Sequence, residues 1–219
     1  GSNHNSRGND GEIFVGRGFW PGLCVNLKHS SRFAAYCLLV KGTYPAELDI
    51  PLPFALVSND TTNDRLLIRP GYWFLHNMYA LARNAWKYGA RDAHLYNWQR
   101  YEYDYLAPDT VNEMIKGMEL LELWAGMSTD TVDMTETDLE QVKARGREAL
   151  LRDETENELI LENQKIEASK RPVVILKPSA GYTEYREMIR YYAIATLLRY
   201  KRQCSTATLE ELVDLLSDG

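Results

Sequence analysis

Between Ile13 and Leu39 the odd-numbered positions carry a beat of six. Taken in pairs they read Ile13/Val15, Phe19/Pro21, Val25/Leu27, Ser31/Phe33 and Cys37/Leu39, and every pair holds at least one large apolar residue. The odd position completing each step is Arg17, Leu23, His29, Ala35 or Lys41, polar in three cases of five. Two inward residues followed by a corner is the pattern of a hexapeptide β-helix, with six residues to a face and three faces to a turn. Plain period-two alternation in an antiparallel sheet gives the same odd-position bias, so both architectures stand at this point. Five hexads make fewer than two full turns, too few for a solenoid to bury its own core. A β-helix here is therefore expected to be a fragment or the capping end of a longer one. Residues 12–68 should be β-rich, with Ile13, Val15, Val25, Leu27, Phe33, Cys37 and Leu39 buried on one side of their strands.

The period changes after Leu66–Ile68, where Arg69-Pro70-Gly71 punctuates the last of these strands. Tyr72–Tyr88 reads as a helix with Trp73, Phe74, Met78, Leu81, Ala85 and Tyr88 at 3-to-4 spacing, closed by Gly89 as a C-cap. Pro108-Asp109 opens the next helix, whose stripe is Val111, Met114, Ile115, Met118, Leu121 and Trp124 and which Gly126 stops. The polar, Thr-rich run 128–138 is the linker candidate. Two charged stretches, 137–152 and 154–169, read as a solvated helical hairpin. Val173–Leu176 reads as a short strand, and Tyr182–Gln203 and Thr208–Leu216 as the last helices.

Charge follows the same division. Residues 1–107 hold 11 Lys+Arg against 9 Asp+Glu and 18 of the 24 aromatics; residues 108–219 hold 14 against 22. The first half has the Gly and Pro of short strands and the second the Glu, Leu, Lys and Arg of helices. The expected class is α+β, with a β-rich segment at 1–70 and a mostly helical domain at 71–219. A net charge of −6 argues against nucleic acid and anionic membrane as partners. No apolar run approaches the roughly 18 residues of a membrane span, and no cationic-then-apolar leader is present. Cys24, Cys37 and Cys204 are too few and too scattered for a disulfide framework or a Cys-rich metal site. These features point to a cytoplasmic protein with no resident metal or cofactor.

One motif recurs. His4-Asn5-Ser6-Arg7 returns as His29-Ser30-Ser31-Arg32, 25 positions on. An 18-residue turn plus a seven-residue loop supplied by Gly8–Gly18 would bring the copies into adjacent coils; chance gives a three-of-four match equally well.

Several strings resemble an uncharacterised family of gut-bacterial hexapeptide-repeat proteins. They are Gly18-Phe19-Trp20-Pro21-Gly22, Ser31-Arg32-Phe33, Pro70-Gly71-Tyr72-Trp73-Phe74, the run from Asn77 to Asn84, the run from Glu102 to Thr110, and Val173-Val174-Ile175-Leu176-Lys177-Pro178. The resemblance extends from His4 to about Tyr192. It implies a left-handed parallel β-helix followed by a mostly helical region, with this chain the C-terminal third. The family is loosely likened to sugar-nucleotide pyrophosphorylases that also acetylate a hexosamine.

Under that resemblance His4 and His29 are the candidate general bases, since hexapeptide acyltransferases use a histidine to deprotonate a sugar hydroxyl or amine. Arg7 and Arg32, three residues on from each, suit a phosphate or carboxylate. Lys28, Arg17 and Trp20 would enlarge the same patch, the indole serving as a stacking platform. Acetyl-CoA would be the cofactor of this enzymatic alternative, and a sugar or nucleotide-sugar its ligand. Gly16-Arg17-Gly18 is too short for a nucleotidyltransferase phosphate loop. His76 and His94 share no metal-ligand spacing, and Tyr96, Trp98, Tyr101, Tyr103 and Tyr105 read as the cover of a junction or the lining of a sugar groove. The leading expectation is a structural or ligand-binding module that caps a β-helix, with homo-oligomerisation through that helix as a further partner.

Overall fold

Among the described residues up to Asp60 there are nine short strands: β1 (Ser2–Asn3), β2 (Phe14–Val15), β3 (Trp20–Pro21), β4 (Val25–Lys28), β5 (Arg32–Phe33), β6 (Leu38–Leu39), β7 (Gly42–Tyr44), β8 (Asp49–Ile50) and β9 (Leu56–Asp60). The structure, a computed structural model, describes residues 2–3, 12–92, 101–128, 136–153, 155, 158–161 and 165–203. Each of the first six strands pairs in parallel with the third strand after it, giving the ladders β1-β4-β7, β2-β5-β8 and β3-β6-β9. Partners stand 18 residues apart (Phe14 with Arg32, Trp20 with Leu38) or 17 (Val25 with Gly42, Arg32 with Asp49), except that β1 and β4 are offset by 25 (Ser2 with Leu27). The antiparallel meander is thereby excluded for this segment.

Tight turns separate the ladders at Arg17–Gly18, Leu23–Cys24, His29–Ser30, Ala35–Tyr36 and Pro53–Phe54. The second residue of each is left-handed, with φ of 70°, 56°, 66°, 56° and 54° for Gly18, Cys24, Ser30, Tyr36 and Phe54. Four of these five carry a Cβ, a conformation that costs about 1–2 kcal/mol per residue. That cost is offset by what the corners achieve, since each sharp turn keeps the next inward pair facing the core.

Val25, Leu27, Phe33, Cys37 and Leu39 are buried as the six-residue beat requires, but Ile13 is only partly buried and Val15 is exposed. The reason lies along one column of the second ladder. Val15, Phe33 and Ile50 are stacked partners, and their exposures fall from 49% to 4% to 1%. Among the described residues nothing covers the outer side of β2.

The other end is closed. β10 (Arg65–Arg69) turns back antiparallel to β9, β12 (Val173–Leu176) runs parallel to β10, and β11 (Glu158–Leu161) lies antiparallel to β12. Together they extend the third ladder into a six-stranded sheet, β11-β12-β10-β9-β6-β3. Asp49 N donates to Ile166 O at 2.8 Å and Ala168 N to Glu47 O at 2.9 Å, so the 165–168 turn seals the second ladder too. The expected helix over 154–169 is thus corrected to a strand and a sealing loop. Leu159 and Leu161 face in and Ile160 faces out, an alternation hidden by the surrounding Glu, Asn and Lys. The class is α+β, and the later half contributes two strands to a core shared with the first.

The described residues also form five helices: α1 (Tyr72–His76), α2 (Met78–Arg91), α3 (Pro108–Ser128), α4 (Glu136–Leu151) and α5 (Pro178–Gln203). The expected helix Tyr72–Tyr88 is broken at Asn77, whose φ of −142° leaves the helical region. Neither Gly89 nor Gly126 ends a helix; each lies inside one. Gly126 and Gly146 sit where α3 and α4 cross antiparallel, with Gly126 against Val142 and Gly146 against Glu122. Their missing side chains let the two backbones touch. Of the expected linker, Ser128 ends α3, 136–138 belong to α4, and 129–135 lie outside the described residues, as does the expected helix Thr208–Leu216.

Candidate functional site

The residues expected to form one patch are distributed over three ladders. Trp20 is on β3, Lys28 on β4 and Arg32 on β5, while His29 opens the turn between β4 and β5. His4 and Arg7 lie outside the described residues. The backbone register just before them, Ser2 with Leu27 and Asn3 with Lys28, is nevertheless the 25-residue offset of the repeated motif.

Arg17 is committed elsewhere. Its Nε and Nη2 donate to the two oxygens of Asp109 at 3.0 and 2.9 Å, and Nη1 donates to Asp104 O at 2.6 Å and to the Tyr36 hydroxyl at 3.2 Å. Burial works against its charge, yet the hydrogen bond to Asp109 and the nearby acids leave its pKa above the ordinary value. The reciprocal hydrogen bond holds the Asp109 carboxyl below its usual range. This guanidinium clips the first turn of α3 and the preceding connector onto the strand ladders. Trp20 is exposed and packs on Trp73 with ring centroids 5.9 Å apart, while Trp73 Nε1 donates to Tyr36 O at 2.7 Å.

Arg32 is the expected residue that does reach a cavity. Outward positions of the second ladder stack in register as Phe14, Arg32 and Asp49, and the guanidinium carbon sits 4.6 Å from the Phe14 ring centroid. Arg32 and Asp49 belong to two adjoining grooves. One, of about 590 Å³, adds Glu113 and Lys116 from α3; the other, of about 400 Å³, adds Glu47, Lys165 and Glu167.

The Glu113 side chain is half-buried and accepts the Ala35 N–H at 2.7 Å. Burial pushes its carboxyl up despite that hydrogen bond, the kind of tuning that suits proton transfer. Glu167 accepts Arg171 Nε and Nη2, both at 2.6 Å, and the Ser169 hydroxyl at 2.9 Å, so its charge is matched. The surface formed is aromatic at Phe14, cationic at Arg32, Lys116 and Lys165, and acidic at Asp49 and Glu113. It suits a hydroxyl-rich ligand carrying charge. Among the described residues no group of three His, Cys, Asp or Glu is placed to hold a metal.

Sequence reading missed Asp49, Glu113 and Lys116. Asp49 was not recoverable from the six-residue beat, because its strand pairs with that of Arg32 at an offset of 17 rather than 18, which turns an odd-numbered position outward. Glu113 and Lys116, at i and i+3, share a helix face, but nothing local says which strands that face meets.

No family model matches the chain, and no solved structure gives a significant match. A curated uncharacterised protein of Treponema pallidum (strain Nichols) is 40% identical over 209 residues. That alignment covers 93% of this chain and 27% of the relative, so the chain spans about a quarter of the length of the protein it resembles.

Proposed function

We propose that the chain is the terminal, capping module of a longer left-handed parallel β-helix of the hexapeptide-repeat type, carrying a ligand groove on its second face. The observation that carries this is the column Val15, Phe33, Ile50, whose burial is complete at the capped end and lost at the open one. Ladders repeating every 17 or 18 residues and left-handed corner residues six apart support the same reading. At the capped end β10 and the 165–168 loop replace the next coil and leave no free parallel edge on two ladders, which prevents edge-to-edge association there. The free thiols of Cys24 and Cys37 fit a reducing, cytoplasmic location. In the groove, a sugar or nucleotide-sugar would stack on Phe14 and direct charged groups to Arg32 and Lys116.

A crystal structure of the full-length Treponema pallidum relative tests the capping reading. Further coils are expected against the edge that corresponds to β1–β3. Solvent or a non-β element on that edge overturns it, and so does sedimentation of the 219-residue chain as a dimer joined there. A thermal-shift panel of UDP-sugars, free sugars and acetyl-CoA tests the groove. Stabilisation by a UDP-sugar that is lost in Arg32→Ala supports it. Stabilisation by acetyl-CoA that is lost in His29→Ala would instead establish the acyltransferase alternative.

A further inference from the structure

The parallel neighbours β10 and β12 end in the same way. β10 ends on Arg69 and β12 is followed at once by Lys177, and each cation precedes a proline and a helix, Arg69-Pro70 leading into α1 and Lys177-Pro178 into α5. Parallel pairing brings both carboxyl ends to one edge of the sheet. The register of Ile68 with Ile175 leaves Arg69 and Lys177 one position apart across strands about 4.8 Å apart. His76, in the last turn of α1, is close enough to both that each cation adds to the burial that lowers its pKa.

Three basic groups therefore converge without a counter-charge. Among the described residues no ion pair or side-chain hydrogen bond neutralises Arg69 or Lys177, and Arg69 Nε is buried with no acceptor. Glu184, whose Cβ lies beside Gly71, is pushed up by burial and by Glu187 rather than drawn down by a cation. The positive end of the 26-residue α5 lies beside them, its first turn packed on Pro70. In a chain of net charge −6, an uncompensated cationic cluster holding an unsatisfied buried donor is costly to keep unless an anion completes it.

We propose that the carboxyl edge of β10 and β12 is a binding site for a phosphate group, held by Arg69 and Lys177 at the N-terminus of α5 with His76 at the rim. The site is independent of the second-ladder groove and of the capping role. The strand-to-helix turns put cationic side chains and a helix dipole on one point, the arrangement that open α/β sheets use for phosphorylated ligands.

The test is titration of the 219-residue chain with inorganic phosphate, at ionic strength held constant with chloride, followed by amide chemical shifts and melting temperature. Saturable shifts at Ser179, Ala180 and His76 are expected, with a rise in Tm. Lys177→Gln should weaken binding at least about tenfold, as loss of one charge-assisted hydrogen bond implies, while Lys170→Gln changes nothing. Arg69→Gln should do the same; if it unfolds the chain, the exposed Lys177 still decides the matter. Tighter binding of a hexose phosphate than of inorganic phosphate assigns a phosphorylated metabolite, and parity assigns the free anion. A response no greater than chloride gives, or one unaltered in Lys177→Gln, overturns the proposal.

Discussion

Replacing Gly146 by alanine should destabilise the protein although alanine is the better helix former. In an open helix interior the change gains about 1 kcal/mol. At Gly146 the new methyl would overlap the Glu122 carbonyl oxygen and stand 2.6 Å from Gly126 N. Both obstacles are backbone, so no rotamer change relieves them and α3 must move away from α4. Overpacking of this kind costs about 1–3 kcal/mol, and immovable partners place it at the upper end, for a net loss of about 2 kcal/mol. Gly126→Ala, meeting Val142 C and Cγ1 at 2.8 Å, should behave alike. The double variant should cost less than the sum, because helices already spread by one methyl accommodate the second. Gly89→Ala supplies the opposite sign. Its nearest neighbour would be the Tyr103 hydroxyl at 3.7 Å, an ordinary contact, so about 0.5 kcal/mol should be gained. Urea unfolding of the four proteins decides the question, read at constant m. A Gly146→Ala midpoint at or above the parent's would refute the close-crossing argument.

The buried Glu122 carboxylate accepts Arg147 Nε and Nη2 at 2.8 and 2.9 Å and the Tyr182 hydroxyl at 2.6 Å, tying α3, α4 and α5 together. Arg147→Met should cost about 2 kcal/mol in the same assay by stranding that charge, whereas Arg190→Met, from an exposed pair, should change stability by less than about 0.5 kcal/mol. The Tyr182 phenol is raised to about 12 by burial and by its bond to Glu122, so its absorbance should titrate later than that of exposed tyrosines. Asp60 is held at about 2, against an ordinary 3.8, by hydrogen bonds from Asn63 and Arg65. Because its folded value is depressed, its contribution is complete above about 3.8 and lost as pH falls through about 2. Carboxyl NMR should place its midpoint there, and amide exchange at the β9–β10 turn should quicken over that window.

The burial of Val25, Leu27, Phe33, Cys37 and Leu39 was legible because strand positions that face a core must be apolar whatever else the sequence does. The corners were not. A left-handed turn advertises itself when glycine occupies it, as at Gly18, and is silent when Cys24, Ser30, Tyr36 or Phe54 does. Glycine was over-read in the other direction: Gly89 and Gly126 look like stop signals, yet Gly126 serves a helix crossing made with residues about twenty positions away. β11 failed for want of length, four residues being too few to outweigh a helix-forming neighbourhood. Of the groove residues, Arg32 was the one its motif had already singled out. The ion pair of Arg17 was not legible, because its partner Asp109 is 92 residues distant, a separation over which no local pattern carries information.

The pairing of β10 with β12 has a consequence for synthesis. Leu66 finds its parallel partner in Val173, about a hundred residues later in the chain. At 5–20 residues per second, translation of that interval takes roughly 5–20 s. During this time β10, already hydrogen-bonded to β9 on one side, presents an unsatisfied apolar edge to solvent or to whatever chaperone attends the ribosome. The nascent ladders can pair strand by strand as they emerge, since each needs only a partner 17 to 25 residues back. Their terminator cannot lock until the strand preceding α5 has cleared the exit tunnel. Premature release or a pause within α3 or α4 would therefore leave well-formed ladders with an adhesive rim, and aggregation of truncated chains should begin at that edge.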